Sequence, residues 1–332
     1  MAKLLYQDTE VPLHDDDTVL EALLRHGVDV ASSCKNGVCQ TCMIHCGSGN
    51  PGATAQRGVK ETLAAQGYFL ACQCKPGECG DVDLRVSLEG EGGLFIEAKL
   101  VAKDRLAPDI VRLVFESQEE MCYEPGQFLN LRRSDGLIRS YSIASDKSSC
   151  KRFELHVGRI KEGRMSSFLI DELAIGESVE VRGPSGSCFY IPGRPEQPLL
   201  LVGTGTGFAP LLGIVRAALA AKHEGPIYLF HGSTNASGVY FSSEMRALAA
   251  ENKQLYYSPC VDQDAPEDLL LGRAADLALA AHKSLKGYRV FLCGHPEMVK
   301  KTKKLAYLGG ASLSDIFSDP FEFSGPSSEP AR

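Results

Sequence analysis

No uncharged apolar run in the 332-residue chain approaches the roughly 18 residues of a membrane span. The best candidate, residues 208–221, is interrupted by Arg216. A secretory leader is also missing from the reading, because MAKLLYQDTE turns acidic before an apolar core can form, so a cytoplasmic protein without membrane attachment is expected. There is no basic excess: the net charge is −7. That argues against nonspecific nucleic-acid binding, which depends on Lys and Arg neutralising phosphates. Internal repeats and low-complexity stretches are absent, and the Ser/Pro-rich end from Ser324 reads as a frayed tail. No serine triad or nucleophile elbow is evident in the sequence.

What is present is a soluble, globular composition, with 44% apolar and 23% charged residues. A chain of this length implies two or three domains at roughly 100–200 residues each. Twelve cysteines stand out. Without an export signal they read as metal ligands or free thiols rather than disulfide staples.

The cysteines and the charge are unevenly placed. Residues 1–92 hold seven cysteines, and 13 acidic against 7 basic residues, a net −6 of the chain's −7. The GEGG run at 90–93 reads as a hinge. Period-two segments then recur at 94–101, 110–115, 128–131, 138–143, 153–157 and 179–181, which predicts antiparallel sheet. After residue 198 the pattern changes. Apolar strands at 199–202, 227–230 and 289–293 alternate with helical runs at 209–221 and 243–250, which predicts a parallel sheet with crossover helices.

Cys34, Cys39 and Cys42 have the spacing C-x4-C-x2-C, and Cys72 follows far downstream. Three thiolates on one short loop, closed by a distant fourth, can wrap two irons. Gly37 suits a backbone conformation closed to bulkier residues. The motif resembles the plant-type [2Fe–2S] ferredoxins, with residues 18–26 as the helix ahead of the loop. Gln40 stands where many relatives carry Gly. A zinc site built from Cys39/Cys42 and Cys72/Cys74 is disfavoured, because Cys72-Gln73-Cys74 has only one spacer. Leu70-Ala71-Cys72 resembles the apolar-small-Cys ending of that family, so Cys72 is preferred to Cys74 as fourth ligand. Cys46 and Cys79 are read as bystanders.

Arg139-Ser140-Tyr141-Ser142 ends one predicted strand, and Gly163-Arg164-Met165-Ser166 opens a helical stretch. Arg offers a fork for phosphate oxygens, Tyr a face for a planar ring, and a helix start free N–H groups. R-x-Y-S followed by G-x-x-S resembles the flavin domain of the ferredoxin–NADP reductase superfamily. The resemblance implies FAD, with Arg139 and Gly163–Ser166 on its pyrophosphate and Tyr141 and Ser142 on its ring. His156, Val157 and Gly158 are expected to line the same ligand.

Gly203-Thr204-Gly205-Thr206-Gly207-Phe208-Ala209-Pro210 follows an apolar strand, where glycines let backbone approach a pyrophosphate. The last Rossmann glycine is replaced by Phe208. With Cys293-Gly294-His295-Pro296-Glu297-Met298, the segment resembles the pyridine-nucleotide domain of the same superfamily, in which the Cys-Gly pair sits beside the nicotinamide. Gly203, Thr204, Gly205, Thr206, Gly207, Pro210, Ser233, Cys293, Gly294, His295 and Met298 are therefore nucleotide candidates. No Lys or Arg lies between Lys222 and Arg246 to grip a 2′-phosphate, so NADH is expected rather than NADPH. Lys300, Lys301, Lys303 and Lys304 read as a solvated helix face, or else as a docking patch. Phe321 either covers the flavin or packs on the sheet.

Together the motifs resemble the electron-transfer reductase components of bacterial multicomponent oxygenases. The expected fold is multidomain: an α+β ferredoxin (β-grasp) domain at 1–92, an antiparallel β-barrel flavin domain at 94–194 and an α/β parallel-sheet nucleotide domain at 195–332. The resemblance implies hydride transfer from NADH to FAD beside Ser142 and Cys293, then single electrons through the [2Fe–2S] cluster to a protein acceptor. That acceptor is expected to be an oxygenase or hydroxylase component; a deoxysugar dehydratase partner, or a redox-sensing role, is the alternative.

Overall fold

Three sheets organise the residues that the computed structural model describes, namely 3–6, 9–14, 16–28, 30, 32, 37, 42–57, 59, 61–64, 67–75, 83–87 and 95–321. Cys34, Cys39, Cys79, the run at 90–93 and the tail from Ser324 lie outside the described residues. By contacts the chain forms two compact units. One comprises Met1–Glu97, Leu129–Arg132 and Glu180–Ser185, and the other Ala98–Phe128, Arg133–Val179 and Gly186–Arg332.

The first sheet joins β1 (Leu4–Tyr6), β2 (Thr9–Val11), β3 (Met43–Ser48), β4 (Tyr68–Leu70) and β5 (Leu84–Ser87) in the order β2-β1-β5-β3-β4. Helix α1 (Val19–Arg25) buries Val19, Leu20, Ala22 and Leu23. It starts where it does because Thr18 and Glu21 form a reciprocal capping box, which satisfies two otherwise unbonded N–H groups. Gly27 follows at φ +84°. The short helices α2 (Gly52–Ala55) and α3 (Glu61–Ala64) fill the excursion between β3 and β4.

The second sheet is antiparallel. It comprises β6 (Ile96–Ala107), β7 (Ile110–Ser117), β8 (Phe128–Arg132), β9 (Ile138–Ser142), β10 (Arg152–Gly158) and β11 (Ser178–Ser185), in the order β10-β7-β6-β11-β8-β9. Each predicted segment is a strand. β6, however, runs to Ala107 rather than ending near Val101. Its register shifts between Leu100 and Ala102, and again between Arg105 and Ala107. A bulge moves side chains to the other face, so the alternation breaks while the ladder continues. Helix α4 (Arg164–Ser167) runs on into a π-type turn at Phe168–Glu172.

The third sheet is parallel, ordered β15-β14-β13-β12-β16-β17. Its strands are β12 (Leu199–Thr204), β13 (Ile227–Ser233), β14 (Leu255–Val261), β15 (Leu270–Leu271), β16 (Arg289–Gly294) and β17 (Ile316–Pro320). Helices α5 (Phe208–Ala220), α6 (Ser242–Glu251), α7 (Ala274–Ala281) and α8 (Pro296–Leu308) connect them. β12 and β16 are buried along almost their whole length, as central strands covered on both faces must be. Leu200, Val202, Val290 and Leu292 pack there against Ala275, Ala278 and Val299. Each fully buried Leu or Val is worth roughly 1.5–3 kcal/mol relative to exposure. β14, β15, α7 and β17 are not legible as separate elements in the sequence pattern. No helix among the described residues is long and apolar enough to cross a membrane.

Candidate functional site

The parallel sheet delivers two of the sequence motifs to one end. β12 and β16 are neighbours, with Gly203 opposite Cys293, so the glycine turn after β12 and the Cys-Gly pair ending β16 meet at the strands' carboxyl ends. Ligands bind at that edge of open α/β sheets. The approach is too close for side chains. A Cβ on Gly207 would lie 2.3 Å from the Cys293 carbonyl oxygen, and one on Gly294 2.6 Å from that of Thr204. The His295 N–H donates to Thr204 Oγ1 at 3.2 Å. Gly207→Ala is accordingly expected to displace the turn and lower kcat/KM for NADH by roughly 100-fold at unchanged FAD content, as read by steady-state kinetics beside flavin absorbance.

The flavin motif reaches the same place from the antiparallel sheet. Gly158, the last residue of β10, passes so near the glycine turn that a Cβ would sit 3.1 Å from Thr206 Cγ2. At the end of β9, buried Ser142 donates its hydroxyl to Asp319 Oδ2 at 2.7 Å. Asp319 lies on β17, paired in register with Cys293. Three strands therefore converge on one Ser-Asp-Cys group. Burial pushes the Asp319 carboxyl up to about 6, against the opposing hydrogen bond from Ser142. Burial likewise raises the Cys293 thiol, and a contact with Cys188 Sγ at 3.6 Å adds to the effect. The Cys293 side chain is turned into this thiol pair. Asp319 and Cys188 were not singled out from the sequence. For Asp319 the available signal was a carboxylate closing the apolar strand Ile316–Pro320.

The remaining flavin candidates take distinct positions. Arg139 is half-buried, with Nη1 on its neighbour's carbonyl; Ser140 is exposed, and burial raises the Tyr141 phenol. Gly163 opens α4 without a side-chain cap, and Met165 is buried. Ser166 does not offer a free hydroxyl: it accepts from Ile160 N–H at 3.2 Å and donates to the Gly163 carbonyl at 3.1 Å. That leaves backbone N–H groups as the donors this turn could offer a phosphate. Arg164 reaches Asp135 at 2.7 Å.

His156 is turned inward. Burial keeps its pKa below the usual histidine range, with Glu154 pulling the other way. As a neutral ring it donates from Nε2 to Glu154 at 2.9 Å and accepts at Nδ1 from Tyr240 at 3.1 Å. Both nitrogens are occupied, which leaves the backbone of 156–158 as the part able to face a ligand. Val157 is fully buried and Pro210 lies in the first turn of buried α5. Ser233 ends β13, Met298 is half-buried on α8, and Phe321 donates its N–H to the Gly294 carbonyl at 2.8 Å.

In the first unit, Cys42 and Cys72 are both buried and lie on adjacent backbone, because the Ala71 N–H donates to the Cys42 carbonyl at 2.9 Å. Gln73 Nε2 lies 3.4 Å from Cys72 Sγ. Gly37 has φ +80°, and a Cβ there would strike Gln73 Cγ at 2.9 Å. Cys74, the rival fourth ligand, directs its thiol to the Pro51 carbonyl at 3.4 Å. Cys46 directs its own to the Ser48 carbonyl. These placements fit a [2Fe–2S] cluster held by Cys72 rather than Cys74.

A separate depression lined by Arg194, Pro195, Glu196, Gln197 and Gly287 lies at the opposite, amino-terminal ends of β12 and β16. Its Arg194 is held bidentately by Asp315 at 2.9 and 3.1 Å. The same Asp315 serves buried Arg289, so this corner is structural.

Comparison with known proteins agrees with the geometry. Residues 4–77 match the 2Fe-2S iron-sulfur cluster binding domain family, 97–190 the oxidoreductase FAD-binding domain and 201–304 the oxidoreductase NAD-binding domain. The aromatic O-demethylase reductase subunit of Amycolatopsis sp. is 32% identical over 85% of this chain and 87% of its own length. The ferredoxin–NAD(P)(+) reductase component of the Pseudomonas putida naphthalene 1,2-dioxygenase system is 29% identical over 94% and 95%. The crystal structure of an Amycolatopsis cytochrome P450 reductase superposes with a TM-score of 0.70 at 29% identity, covering 97% of this chain and 99% of that one. The chain is an NAD(P)H-dependent oxidoreductase that uses FAD and a [2Fe–2S] cluster, and it belongs to the family of iron–sulfur flavoprotein reductase components of oxygenase systems.

Proposed function

We propose that this reductase takes electrons from NADH and delivers them one at a time to an oxygenase or hydroxylase component. The observation that carries the reading is the convergence of Ser142, Asp319 and the Cys293-Gly294 turn at the carboxyl end of the parallel sheet. The bound cofactors supply the redox chemistry, accepting two electrons together and releasing them singly. The chain's own residues bind, orient and exclude water. Gly203–Gly207 and Gly294 let backbone N–H groups close on a dinucleotide pyrophosphate. Arg139 and the turn 163–166 would hold the flavin's phosphates, and Tyr141 its ring. Ser142, anchored by Asp319, would offer its hydroxyl to the flavin ring. Cys34, Cys39, Cys42 and Cys72 ligate the cluster.

Preference for NADH rests on the ground after β13. Arg246, the first cation beyond it, is committed to Asp268, donating to the carbonyl at 2.7 Å and to Oδ2 at 3.0 Å. Ser233 is the polar side chain at the strand end. A charge-assisted contact is worth about 1.5–3 kcal/mol. Without one on a 2′-phosphate, NADPH is expected to be at least roughly tenfold poorer by kcat/KM. Equal efficiency with both nucleotides would show that a cation from elsewhere reaches the phosphate.

The acceptor is tested by affinity capture from the native cell with the full-length chain, followed by NADH-driven turnover with the captured protein. Recovery of an oxygenase component that turns over only with this reductase supports the reading. A dehydratase in its place would transfer the same electron chain to a different acceptor.

A further inference from the structure

Cys122 and Cys150 belong to none of the groups described above. Both are exposed. Their sulfurs lie 3.7 Å apart, with the Cys122 S–H directed at Cys150 Sγ. Cys122 follows β7, and Cys150 sits in the turn between β9 and β10.

Contacts that do not involve the thiols bring the two stretches together. The Met121 N–H donates to the Cys150 carbonyl at 2.7 Å, and the Ser117 N–H to the Lys151 carbonyl at 2.8 Å. Tyr123, buried beside Cys122, places its hydroxyl 2.8 Å from Ser145 Oγ and 3.1 Å from the Arg152 carbonyl. The backbone on both sides of the pair is thus held across the gap. Closing a bond of ~2.05 Å requires the sulfurs to approach by about 1.6 Å.

We propose that Cys122 and Cys150 form a reversible disulfide, closed by hydrogen peroxide and reopened by thiols, that staples the segment carrying the flavin-binding strand. In the first step the Cys150 thiolate attacks one peroxide oxygen. The O–O bond breaks, a sulfenic acid forms, and the departing hydroxide takes up a proton to become water. The Cys122 sulfur then attacks the sulfenic sulfur; the S–S bond forms, and the S–O bond breaks with loss of a second water. Two thiols lose two electrons and two protons, and one peroxide becomes two waters. Two equivalents of an external thiol reverse the change by exchange. Dioxygen reacting with reduced flavin supplies the peroxide, a point that rests on the electron-transfer reading; the pair's response to added peroxide does not.

The cross-link encloses β8 and β9, and with β9 the residues Arg139, Tyr141 and Ser142. Constraining that loop in the unfolded chain should stabilise the folded flavin domain. The full-length holoenzyme is treated with a slight excess of hydrogen peroxide, alkylated, and digested with trypsin without reduction. Peptides 113–132 and 148–151 should appear joined, and dithiothreitol should release them. The temperature of FAD release, followed by flavin fluorescence, should rise by roughly 5–10 °C. Cys122→Ser and Cys150→Ser should each abolish both effects and leave NADH–ferricyanide activity unchanged. Recovery of the two cysteines only as alkylated thiols, as sulfinic acids or as links between molecules overturns the proposal. So does a 122–150 link that leaves FAD release unmoved. Failure of the electron-transfer reading would show separately, as NADH that does not bleach the flavin.

Discussion

Ser142→Ala is expected, below about pH 6, to slow the reduction of flavin by NADH by roughly 10–100-fold while FAD content stays constant, because a hydrogen bond to a charged group is worth about 1.5–3 kcal/mol. Anaerobic stopped-flow absorbance at the flavin band measures the rate. A loss of flavin in proportion to the loss of rate would make Ser142 a binding residue only. The companion variant is Asp319→Asn, and it is read through pH. With Asp319 ionised, the Ser142 hydroxyl hydrogen is committed to the carboxylate at 2.7 Å. With Asp319 protonated, that hydrogen is free to turn toward a ligand and favour hydride acceptance. Because burial raises this carboxyl to about 6, hydride transfer should fall as pH rises through about 6. Asp319→Asn should flatten the profile. An unchanged limb in the variant would assign the titration to another group.

Stability should move with the same group. An unfolded aspartate titrates near 3.9, whereas folded Asp319 holds its proton up to about 6. Between those values the folded chain binds more protons than the unfolded one, so its stability falls as pH rises. Above about pH 6 the full penalty is present, at most about 3 kcal/mol. Asp319→Asn should therefore be more stable than the parent at pH 8, with the difference shrinking toward pH 5, as chemical denaturation at the two values would measure.

Cys72→Ser should remove the [2Fe–2S] absorption and the reduced-state EPR signal, whereas Cys74→Ser should leave both nearly intact. The distinction comes from direction. The Cys74 thiol points to the Pro51 carbonyl, while Cys72 shares adjacent backbone with Cys42. Function should divide in the same way. Cys72→Ser should keep NADH–ferricyanide activity within about twofold, since ferricyanide can take electrons directly from flavin. It should lose most cytochrome c reduction, at least roughly tenfold, because that route needs single electrons delivered through the cluster. A cluster that survives Cys72→Ser would overturn the ligand assignment. Undiminished cytochrome c reduction in a cluster-free variant would take the cluster off the electron path.

Chemistry written into consecutive residues was legible without coordinates. The spacing of Cys34, Cys39 and Cys42 resembles a plant-type [2Fe–2S] loop. Residues 139–142, 163–166, 203–210 and 293–298 were legible as candidate cofactor turns through their resemblance, in order and spacing, to the flavin and nucleotide motifs of the reductase superfamily. Period also sufficed for the strands of the second sheet and for β12, β13 and β16, though not for β1–β5: β7 alternates cleanly, and β12 is a continuous apolar run. The reading failed where local pattern and ladder part company, as in β6, whose two bulges break the alternation, and in β14, where Ser258 and Pro259 interrupt the apolar run. Tertiary structure alone decided the pairings between distant residues. Ser142 meets Asp319 across 177 positions and Cys188 meets Cys293 across 105. Cys122 faces Cys150 because two loops are stitched by backbone hydrogen bonds. The orientation of His156, whose ring nitrogens both go to the core, was likewise set by packing. Sequence periodicity reports which face of a strand is buried, but the partner waiting on that face is chosen only when the sheets assemble.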